Sequence, residues 1–506
     1  MKKRSQIRTG ALLSYFAIAF NMIAGVIYTP WMISQIGQAN FGLYTLATSL
    51  ITMFVVDFGM SAAVSRFVSK YRAENDQEKV NNFLGIVYKL YTLIAAIILI
   101  ALIVIGIFID QIYANLTASE IETFKVLYVI VGFYSVVSFP FINLNGIMNA
   151  YEKFIEHKFA DLFHKVFIIV AMVIALIQGR GVYALVTVNA ISGLLTIAIK
   201  LLVIRIKTPV RVNFKFWDKG MLKEIFSFSF WTTIASLAQR LIFNISPSII
   251  AMVSVTGAVG VAVFGLATTI EGYVFTFSTA INGMFMPRIS RIVHAGKKEE
   301  ELLPLMIRVG RIQCVILGIL IAGFVALGQE FITDVWGKPD FAQSYVCAIL
   351  LILPSFFYLP MQIANTTITV ENKVKLRAGV YIIMGVVNVV LSFILSKFFG
   401  AFGASLSIFI AYMVRTILMV TIYHKVLKLD IRKFFKETYL KLVPQLVLAM
   451  IIGGLFSRIN PITNPYFKFM LDGAVLVGSY FVIMWIKGFN AYEKALFKSF
   501  VGKNKK

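Results

Sequence analysis

Residues 83–109 read FLGIVYKLYTLIAAIILIALIVIGIFI, and Lys89 is the one charged residue in this stretch. A helix needs about 20 predominantly apolar residues to cross a bilayer, and this segment exceeds that length. Because lipid offers the backbone no hydrogen-bond partners, a spanning segment satisfies them internally as a helix. A β-barrel would instead show short segments of alternating polarity. The stretch therefore predicts a transmembrane helix.

Segments of this kind recur along the whole chain. Of its 506 residues 59% are hydrophobic, and the mean hydropathy of +0.83 lies far outside the range of soluble globular domains. The apolar run after MKKRSQIR is too long for a signal peptide and predicts a retained first helix. We predict an all-α, polytopic membrane protein of about 14 transmembrane helices. These spans cover residues 11–33, 42–67, 83–109, 121–147, 160–178, 182–204, 225–252, 258–287, 304–328, 342–369, 378–398, 401–424, 441–457 and 469–486.

The basic residues are distributed unevenly between the two sides of these helices. The chain has 48 Lys and Arg against 24 Asp and Glu, which gives a net charge of +24. With the amino terminus inside, the inner loops collect about 35 of the cations and the outer loops about five. This asymmetry predicts that both termini are cytoplasmic. The positive charge is therefore a topology signal, and we expect no nucleic-acid partner.

The chain also repeats itself at a spacing of about 220 residues. Leu-Ala-Thr at 46–48 recurs at 266–268, and the Gly181 turn before the sixth span matches Gly400 before the twelfth. Pro140, Asn145 and Lys153 likewise recur as Pro360, Asn365 and Lys373. Spans 1–6 and 7–12 thus resemble two copies of one bundle, and an even span number gives them the same orientation. We predict two pseudo-symmetric six-helix lobes and two further helices. The domains are an N-lobe (1–204), a cytoplasmic linker (205–224), a C-lobe (225–424), and the last two helices with a basic tail (425–506).

The sequence offers no motif for covalent chemistry. It contains no Walker pattern, no group of His, Cys and carboxylates at metal-ligand spacing, and no nucleophile–base pair. Its two cysteines, Cys314 and Cys347, both lie in apolar spans. We therefore predict that the protein is not an enzyme and uses no metal or cofactor. Two like bundles are typical of a secondary transporter, whose lobes rock around a central cavity.

Four charged residues lie deep within predicted spans, where a charge is costly and marks a candidate functional group. They are Asp57, Arg240, Glu271 and Arg415. Arg240 belongs to a stripe of polar residues spaced three or four apart, which places them on one helix face. This stripe contains Ser229, Thr233, Ser236, Arg240, Asn244 and Ser248. Two interpretations remain open for Arg240: it lines a cavity, or it forms an internal ion pair with Asp57 or Glu271.

Other cations lie within about two turns of a helix end, where a long side chain can extend to the headgroups. We expect Lys89, Lys165 and Lys200 to behave in this way. Arg308 and Arg311 also lie near the predicted cytoplasmic surface, and their spacing places both on one helix face.

Three stretches resemble a known family. Residues 36–71 (IGQANFGLYTLATSLITMFVVDFGMSAAVSRFVSKY), 255–291 (VTGAVGVAVFGLATTIEGYVFTFSTAINGMFMPRISR) and 400–416 (GAFGASLSIFIAYMVRT) are similar to the polysaccharide-transport flippases. These belong to the superfamily of multidrug, oligosaccharidyl-lipid and polysaccharide exporters. The resemblance covers essentially the whole chain and rests on small residues, glycines and the placement of basic loops.

The resemblance implies a flippase that moves undecaprenyl-pyrophosphate-linked oligosaccharide to the outer leaflet of the bacterial plasma membrane. The glycan would serve O-antigen, capsule or exopolysaccharide synthesis, and the implied partners are membrane lipids and polysaccharide polymerase or ligase enzymes. Arginines can bind the pyrophosphate bidentately: Arg240 and Arg415 first, with Arg311 and Arg308 at the cytoplasmic mouth. Sugar hydroxyls would bind Asn21, Asn145, Asn244 and Asn365. Asp57 and Glu271 would either couple transport to H⁺ or Na⁺ or act as counter-ions.

The sequence departs from the family pattern in two places. Many relatives carry an aspartate in the second half of span 7, where this chain has Asn244, Ser246 and Ser248. The lipid II flippases carry arginines in span 1, and this chain has none between Tyr15 and Ser34, which argues against a peptidoglycan precursor. The main alternative is a cation-coupled multidrug exporter of the same fold. A membrane scaffold is a third hypothesis, and the short loops argue against a glycosyltransferase.

Overall fold

The computed structural model describes residues 24–55, 60–279, 285–296, 298–336 and 338–495. These residues are helical nearly throughout, and no β-strand occurs among them. Eleven helices in the described part are long and apolar enough to cross a membrane, and they cover predicted spans 3–14. The prediction of an all-α, polytopic membrane protein is confirmed.

The helices follow one another with short connections. The first ten are α1 (described over residues 24–36), α2 (Gln38–Phe54), α3 (Met60–Ala73), α4 (Gln77–Ile107), α5 (Ile109–Ile112), α6 (Ala118–Ser138), α7 (Leu144–Ala150), α8 (Phe154–Ile177), α9 (Gly181–Lys207) and α10 (Lys219–Val253). The others are α11 (Gly257–Thr279), α12 (Met286–His294), α13 (Leu303–Glu330), α14 (Gln343–Tyr358), α15 (Gln362–Val370), α16 (Val374–Lys425), α17 (Ile431–Ile459) and α18 (Pro465–Ile483). Predicted spans 11 and 12 both lie in α16, which bends at Gly400.

Acidic and hydroxyl side chains begin several of these helices, as their unpaired amide groups require. Asp76 accepts a hydrogen bond from the Lys79 amide at 2.8 Å at the start of α4. Asp218 accepts from the Met221 amide at 2.9 Å at the start of α10. Thr117 precedes α6 in a capping box, in which its hydroxyl and the carboxylate of Glu120 each bind the other's amide.

The backbone carries the repeat that the sequence indicates. A helix is interrupted by a 3-10 turn at Phe139–Phe141 in the first half and at Leu359–Met361 in the second, 220 positions later. Residues with positive φ, which end helices or turn the chain, recur at nearly the same spacing. The four pairs are Gly37 (80°) with Gly257 (47°), Asn75 (57°) with Gly296 (72°), Glu152 (56°) with Asn372 (57°), and Gly181 (64°) with Gly400 (55°). The repeat is therefore a property of the turns as well as of the apolar spans.

The chain divides into two compact units whose limits differ from the predicted lobes. The first comprises Met1–Gly265 and Asn388–Ala404, and the second comprises Leu266–Val387 and Ser405–Lys506. Residues 225–265 therefore group with the amino-terminal half, because α10 packs against α2 and α3. The amide of Asn388 also donates to the Ile242 carbonyl at 3.1 Å, which ties the start of the second segment to α10.

The predicted linker packs closely against the first turns of α4. The Asn213 side chain donates to Asn82 Oδ1 at 2.7 Å, and Lys89 Nζ donates to the Phe216 carbonyl at 3.1 Å. The linker backbone approaches α4 so closely that position 85 requires a glycine, because a Cβ at Gly85 would lie 1.9 Å from the Asn213 carbonyl oxygen. The ammonium of Lys89, which was expected to extend to the headgroups, therefore contacts the backbone of the linker.

Candidate functional site

A cavity of 530 Å³ lies within the first unit, among the helices α6 to α10. We call it the cationic cavity, because four of the side chains that line it are Lys or Arg. Its polar and charged lining consists of Tyr134, Ser138, Asn145, Lys158, Asp161, His164, Lys165, Thr196, Lys200 and Arg240. Among the described residues of this lining Asp161 is the one carboxylate, so their charges sum to a positive value.

Lys200 lies at the centre of the charge network. Its side chain is 10% exposed, and its Nζ donates to Asn145 Oδ1 at 2.9 Å and to Asp161 Oδ1 at 2.8 Å. The prediction that Lys200 extends to the headgroups is wrong. A buried ammonium is stable only when partners replace its hydration, and α7 and α8 supply those partners here.

Asp161 is shared among several cations of the same region. Besides Lys200, its second oxygen lies 3.7 Å from His157 Nε2 and 3.8 Å from Lys158 Nζ. His164, one turn further along α8, has its Nδ1 2.8 Å from the hydroxyl of Ser192 on α9. One carboxylate therefore faces several cationic or protonatable groups. An arriving anion would meet an excess of hydrogen-bond donors.

Arg240 lies in the lining of the same cavity, as the first of its two sequence interpretations predicts. Its Nη1 donates to the Thr52 carbonyl at 3.0 Å. The side-chain amide of Asn244 donates to the Arg240 carbonyl at 3.1 Å, and Asn244 is not part of the lining of this cavity. Of the predicted site residues, the structure brings Arg240 and Asn145 together in one cavity.

Arg415 lies in the second unit, in an enclosure of tyrosines. Its guanidinium carbon is 4.6 Å from the centre of the Tyr358 ring and 5.1 Å from that of Tyr381, and its Nη2 donates to the Tyr381 hydroxyl at 2.9 Å. Tyr412 stacks on Tyr358 at 5.3 Å. Glu271 of α11 lies near Tyr358 and Tyr412. Among the described residues no carboxylate lies within ion-pair distance of Arg415, and cation–π contact stabilises it instead.

Arg311 is engaged in a buried ion pair. Its Nε and Nη2 bind the Glu493 carboxylate at 2.6 and 2.9 Å, and the group also donates to the carbonyls of Glu437 and Gly488, each at 2.7 Å. Its neighbour Arg308 lies 4.4 Å over the ring of Tyr492. Both arginines therefore hold the carboxyl-terminal segment in place.

The remaining predicted residues contribute less to the cavity. Asn365 is 8% exposed and its amide donates to Gln362 Oε1 at 3.3 Å, outside the cationic cavity. Asn21 and Asp57 lie outside the residues that the structure describes. The predicted ion pair of Arg240 with Asp57 therefore stays a prediction.

Sequence reasoning missed the contribution of α8. The segment FIEHKFADLFHK at 154–165 places His157, Lys158, Asp161, His164 and Lys165 three or four residues apart. This is the spacing that revealed the polar stripe around Arg240, and it would have placed these side chains on one side of α8. Lys165 lines the cavity, although its place near a helix end predicts that it extends to the headgroups.

Comparison with known proteins gives the family. The family model described as "Polysaccharide biosynthesis protein" matches residues 7–293, more than half of the chain. The chain belongs to this polysaccharide biosynthesis family. The chain is also similar to the uncharacterized membrane protein MJ1068 of Methanocaldococcus jannaschii, at 20% identity over 507 positions that cover 95% of each chain.

Two solved structures share the fold of this polysaccharide biosynthesis protein. The lipid II flippase MurJ in an inward closed conformation superposes with a TM-score of 0.71, at 16% identity, over 94% of this chain and 98% of its own. An inward-facing multidrug resistance transporter of the MATE family and MOP superfamily superposes with a TM-score of 0.63, at 16% identity, over 81% of this chain and 96% of its own. At these identities the likeness establishes the fold alone.

Proposed function

We propose that the protein is a flippase for a lipid-linked oligosaccharide with an anionic pyrophosphate head. It carries undecaprenyl-pyrophosphate-linked glycan from the inner to the outer leaflet of the plasma membrane by alternating access, for O-antigen, capsule or exopolysaccharide synthesis. Both termini are cytoplasmic in this proposal, as the distribution of Lys and Arg indicates. The supporting facts are membership of the polysaccharide biosynthesis family, a flippase-like fold and the sign of the cavity charge.

The charge of the cavity carries the proposal. Lys158, Lys165, Lys200 and Arg240 line the cavity, and Asp161 is the one carboxylate among the described residues of its lining. A diphosphate entering a region of low dielectric is stabilised by such an excess of cations. A cationic drug would be repelled by it. The proposed head-group contacts are Arg240 and Lys200, with Asn145 beside them for a sugar hydroxyl.

We leave Arg415, Arg311 and Arg308 out of the proposed head-group site. Tyrosines enclose Arg415, and the donors of Arg311 are bound to Glu493 and backbone carbonyls. These two residues, and Arg308 over the ring of Tyr492, also lie outside the lining of the cationic cavity, to which Arg240 and Lys200 belong. Asn21 remains a proposed sugar contact on the strength of the sequence alone. The protein is proposed to need no cofactor, with Asp57 and Glu271 as candidate carriers of H⁺ or Na⁺.

The second candidate is a cation-coupled multidrug exporter. The MATE-like fold favours it, and Asp161 would be its acidic contact. This hypothesis requires the pairing of Asp161 with Lys200 to break, so that the carboxylate faces the drug. The two functions therefore make opposite predictions for substitution of the cavity cations.

Complementation separates these functions. The chain is expressed in a strain that lacks its surface-polysaccharide flippase, beside Arg240→Ala, Arg240→Lys and the control Lys125→Ala, whose exposed pair with Asp110 lies outside the cavity. Loss of charge-assisted hydrogen bonds of about 1.5–3 kcal/mol predicts about a 10- to 100-fold loss of exported glycan for Arg240→Ala. Arg240→Lys is expected to retain part of the export.

Two results of this experiment would contradict the proposal. Full export by Arg240→Ala, at a protein level equal to that of Lys125→Ala, would remove the cationic cavity from the mechanism. Resistance to organic cations that increases when Arg240 is neutralised would support the drug exporter in its place.

A further inference from the structure

A second concave surface lies in the first unit, and we call it the basic cleft. It has a volume of 420 Å³ and is lined by Arg72, Asn75, Gln77, Tyr151, Lys153, Lys207 and Pro209. None of these residues lines the cationic cavity. Four segments meet here: the turn between α3 and α4, the turn between α7 and α8, the end of α9, and the start of the linker. The cleft is on the side that the charge distribution assigns to the cytoplasm.

The side chains around Arg72 are held in a fixed arrangement. The Arg72 guanidinium lies 4.2 Å over the ring of Tyr151 and donates to the Ala150 carbonyl. The Tyr151 hydroxyl in turn donates to Gln77 Oε1 at 3.0 Å. A guanidinium held by stacking loses little further freedom when it binds an anion, so its remaining donors are preorganised.

The cations of the cleft are only partly neutralised. Lys207 pairs with Glu156 at 2.7 Å. The ammonium of Lys153 has neither an ion pair nor a hydrogen bond among the described residues, and it is half-buried beside Tyr151. The cleft therefore combines a lysine paired with Glu156, a guanidinium stacked on Tyr151, and the ammonium of Lys153, which lies near Glu156 but makes no direct ion pair among the described residues.

The equivalent turn in the second half of the chain also carries a lysine on the side that the charge distribution assigns to the cytoplasm, but the surroundings of that lysine differ. The residues 220 positions later than Tyr151 and Lys153 are Glu371 and Lys373. There the lysine is neutralised by an ion pair of 2.7 Å with Glu371. The same turn thus carries a lysine and a carboxylate in both halves, Glu152 in the first and Glu371 in the second, but among the described residues the lysine makes a direct ion pair in the second half and not in the first.

We propose that the basic cleft binds a phosphate group, delivered either by the headgroup of an anionic phospholipid or by a soluble phosphate compound. Lys207 lies seven residues after Lys200 on α9, which is about 10 Å along the helix axis and on the same face. The cleft is thus at the membrane surface end of the helix that lines the cavity, where headgroups are present. Arg72 and Lys153 bind the phosphate oxygens, and the pairing of Lys207 with Glu156 borders the site. This inference does not depend on the cargo of the cationic cavity.

Native mass spectrometry of the full chain in detergent tests the proposal. Phosphatidylglycerol is titrated against the unaltered protein, Lys153→Gln and the matched control Lys373→Gln. Loss of one charged contact predicts about a tenfold weaker affinity for Lys153→Gln, and Lys373→Gln is expected to bind as the unaltered protein does. Thermal unfolding of each variant shows that the fold is retained.

A second titration distinguishes the sources of the phosphate. If inorganic pyrophosphate displaces the lipid from the unaltered protein and binds Lys153→Gln about tenfold more weakly, the cleft accepts soluble phosphate as well. If pyrophosphate has no effect while the lipid difference remains, the ligand is a headgroup. Equal affinities of Lys153→Gln and Lys373→Gln for both probes would overturn the proposal.

Discussion

The two halves of the repeat use the same positions for different chemistry. Ser138, Asp161 and Thr196 line the cationic cavity of the first unit. The residues 220, 220 and 219 positions later are Tyr358, Tyr381 and Arg415, which form the closed aromatic enclosure of the second. The first half thus keeps small and acidic side chains around a cavity of 530 Å³, and the second fills the equivalent space with rings stacked on a guanidinium.

The equivalent residues of the two halves differ both in the size of their side chains and in their charge. Gly193 of α9 lines the cavity, and its counterpart in the second half is Tyr412, which stacks on Tyr358. Lys200 corresponds to Met419, which is buried without a charge. In the proposed function, the first half binds a charged ligand and the second holds one arrangement of helices. Each prediction below tests that division.

The largest effect is expected from copying the second half into the first at Lys200. Lys200→Met leaves Asp161 without its main partner. Breaking a buried ion pair costs about 3 kcal/mol, at the low end of the usual range because Asp161 is 34% exposed. We expect this loss in the free energy of unfolding together with abolished glycan export, measured by denaturation in detergent and by complementation.

A second substitution separates stability from transport. The double variant Lys200→Met with Asp161→Asn removes the unpaired carboxylate and is expected to recover about 2 kcal/mol of the loss. Export is expected to stay absent, because the ammonium is still missing. Recovery of export in this double variant would show that Lys200 merely holds helices together.

The next effect in size concerns the space that Gly193 leaves. A Cβ at this position would lie 2.2 Å from the Tyr134 hydroxyl, so Gly193→Ala forces the ring to move into the cavity. Overpacking of this kind costs about 1–3 kcal/mol. We expect reduced stability and reduced export, and both should improve when Tyr134→Leu removes the ring.

A helical glycine with open space provides the control for this substitution. Gly478 of α18 has no heavy atom within 4 Å of an added Cβ. Gly478→Ala is therefore expected to raise stability by about 0.5–1 kcal/mol, through the higher helix propensity of alanine. Equal behaviour of the two glycine variants would show that the narrow approach at Gly193 has no bearing on the cavity.

The sequence predicts the helices well because hydropathy and turn residues are local signals. The predicted span 182–204 appears as Gly181–Lys207, and Gly181 and Gly400 both have the positive φ that their place in the repeat implies. The polar stripe around Arg240 is a weaker signal, because Arg240 lines the cationic cavity whereas Asn244 and Ser248 of the same stripe do not. These inferences use only residues close together in the chain.

The partners of the charged residues could not be predicted in the same way. Lys200 binds Asp161, which lies on another helix, and Arg311 binds Glu493 across 182 residues of sequence. Distance from a helix end therefore gave the wrong environment for Lys200. The repeat itself contained one unused signal, because its spacing of 220 aligns Asp161 with Tyr381 and so distinguishes the polar half from the aromatic one.

The smallest effect is expected from Arg415→Lys. The change keeps the charge but loses the planar stacking on Tyr358 and the fixed donor to Tyr381, which is worth about 1 kcal/mol. If the enclosure only holds helices, this variant lowers the unfolding temperature by a few degrees and keeps most of the glycan export, whereas Arg240→Lys lowers export with little change in stability. A loss of export by Arg415→Lys as deep as that of Arg240→Ala, at unchanged stability, would mean that the second half also contacts the anion. The division between a binding half and a structural half would then fail at Arg415, the cation inside the aromatic enclosure.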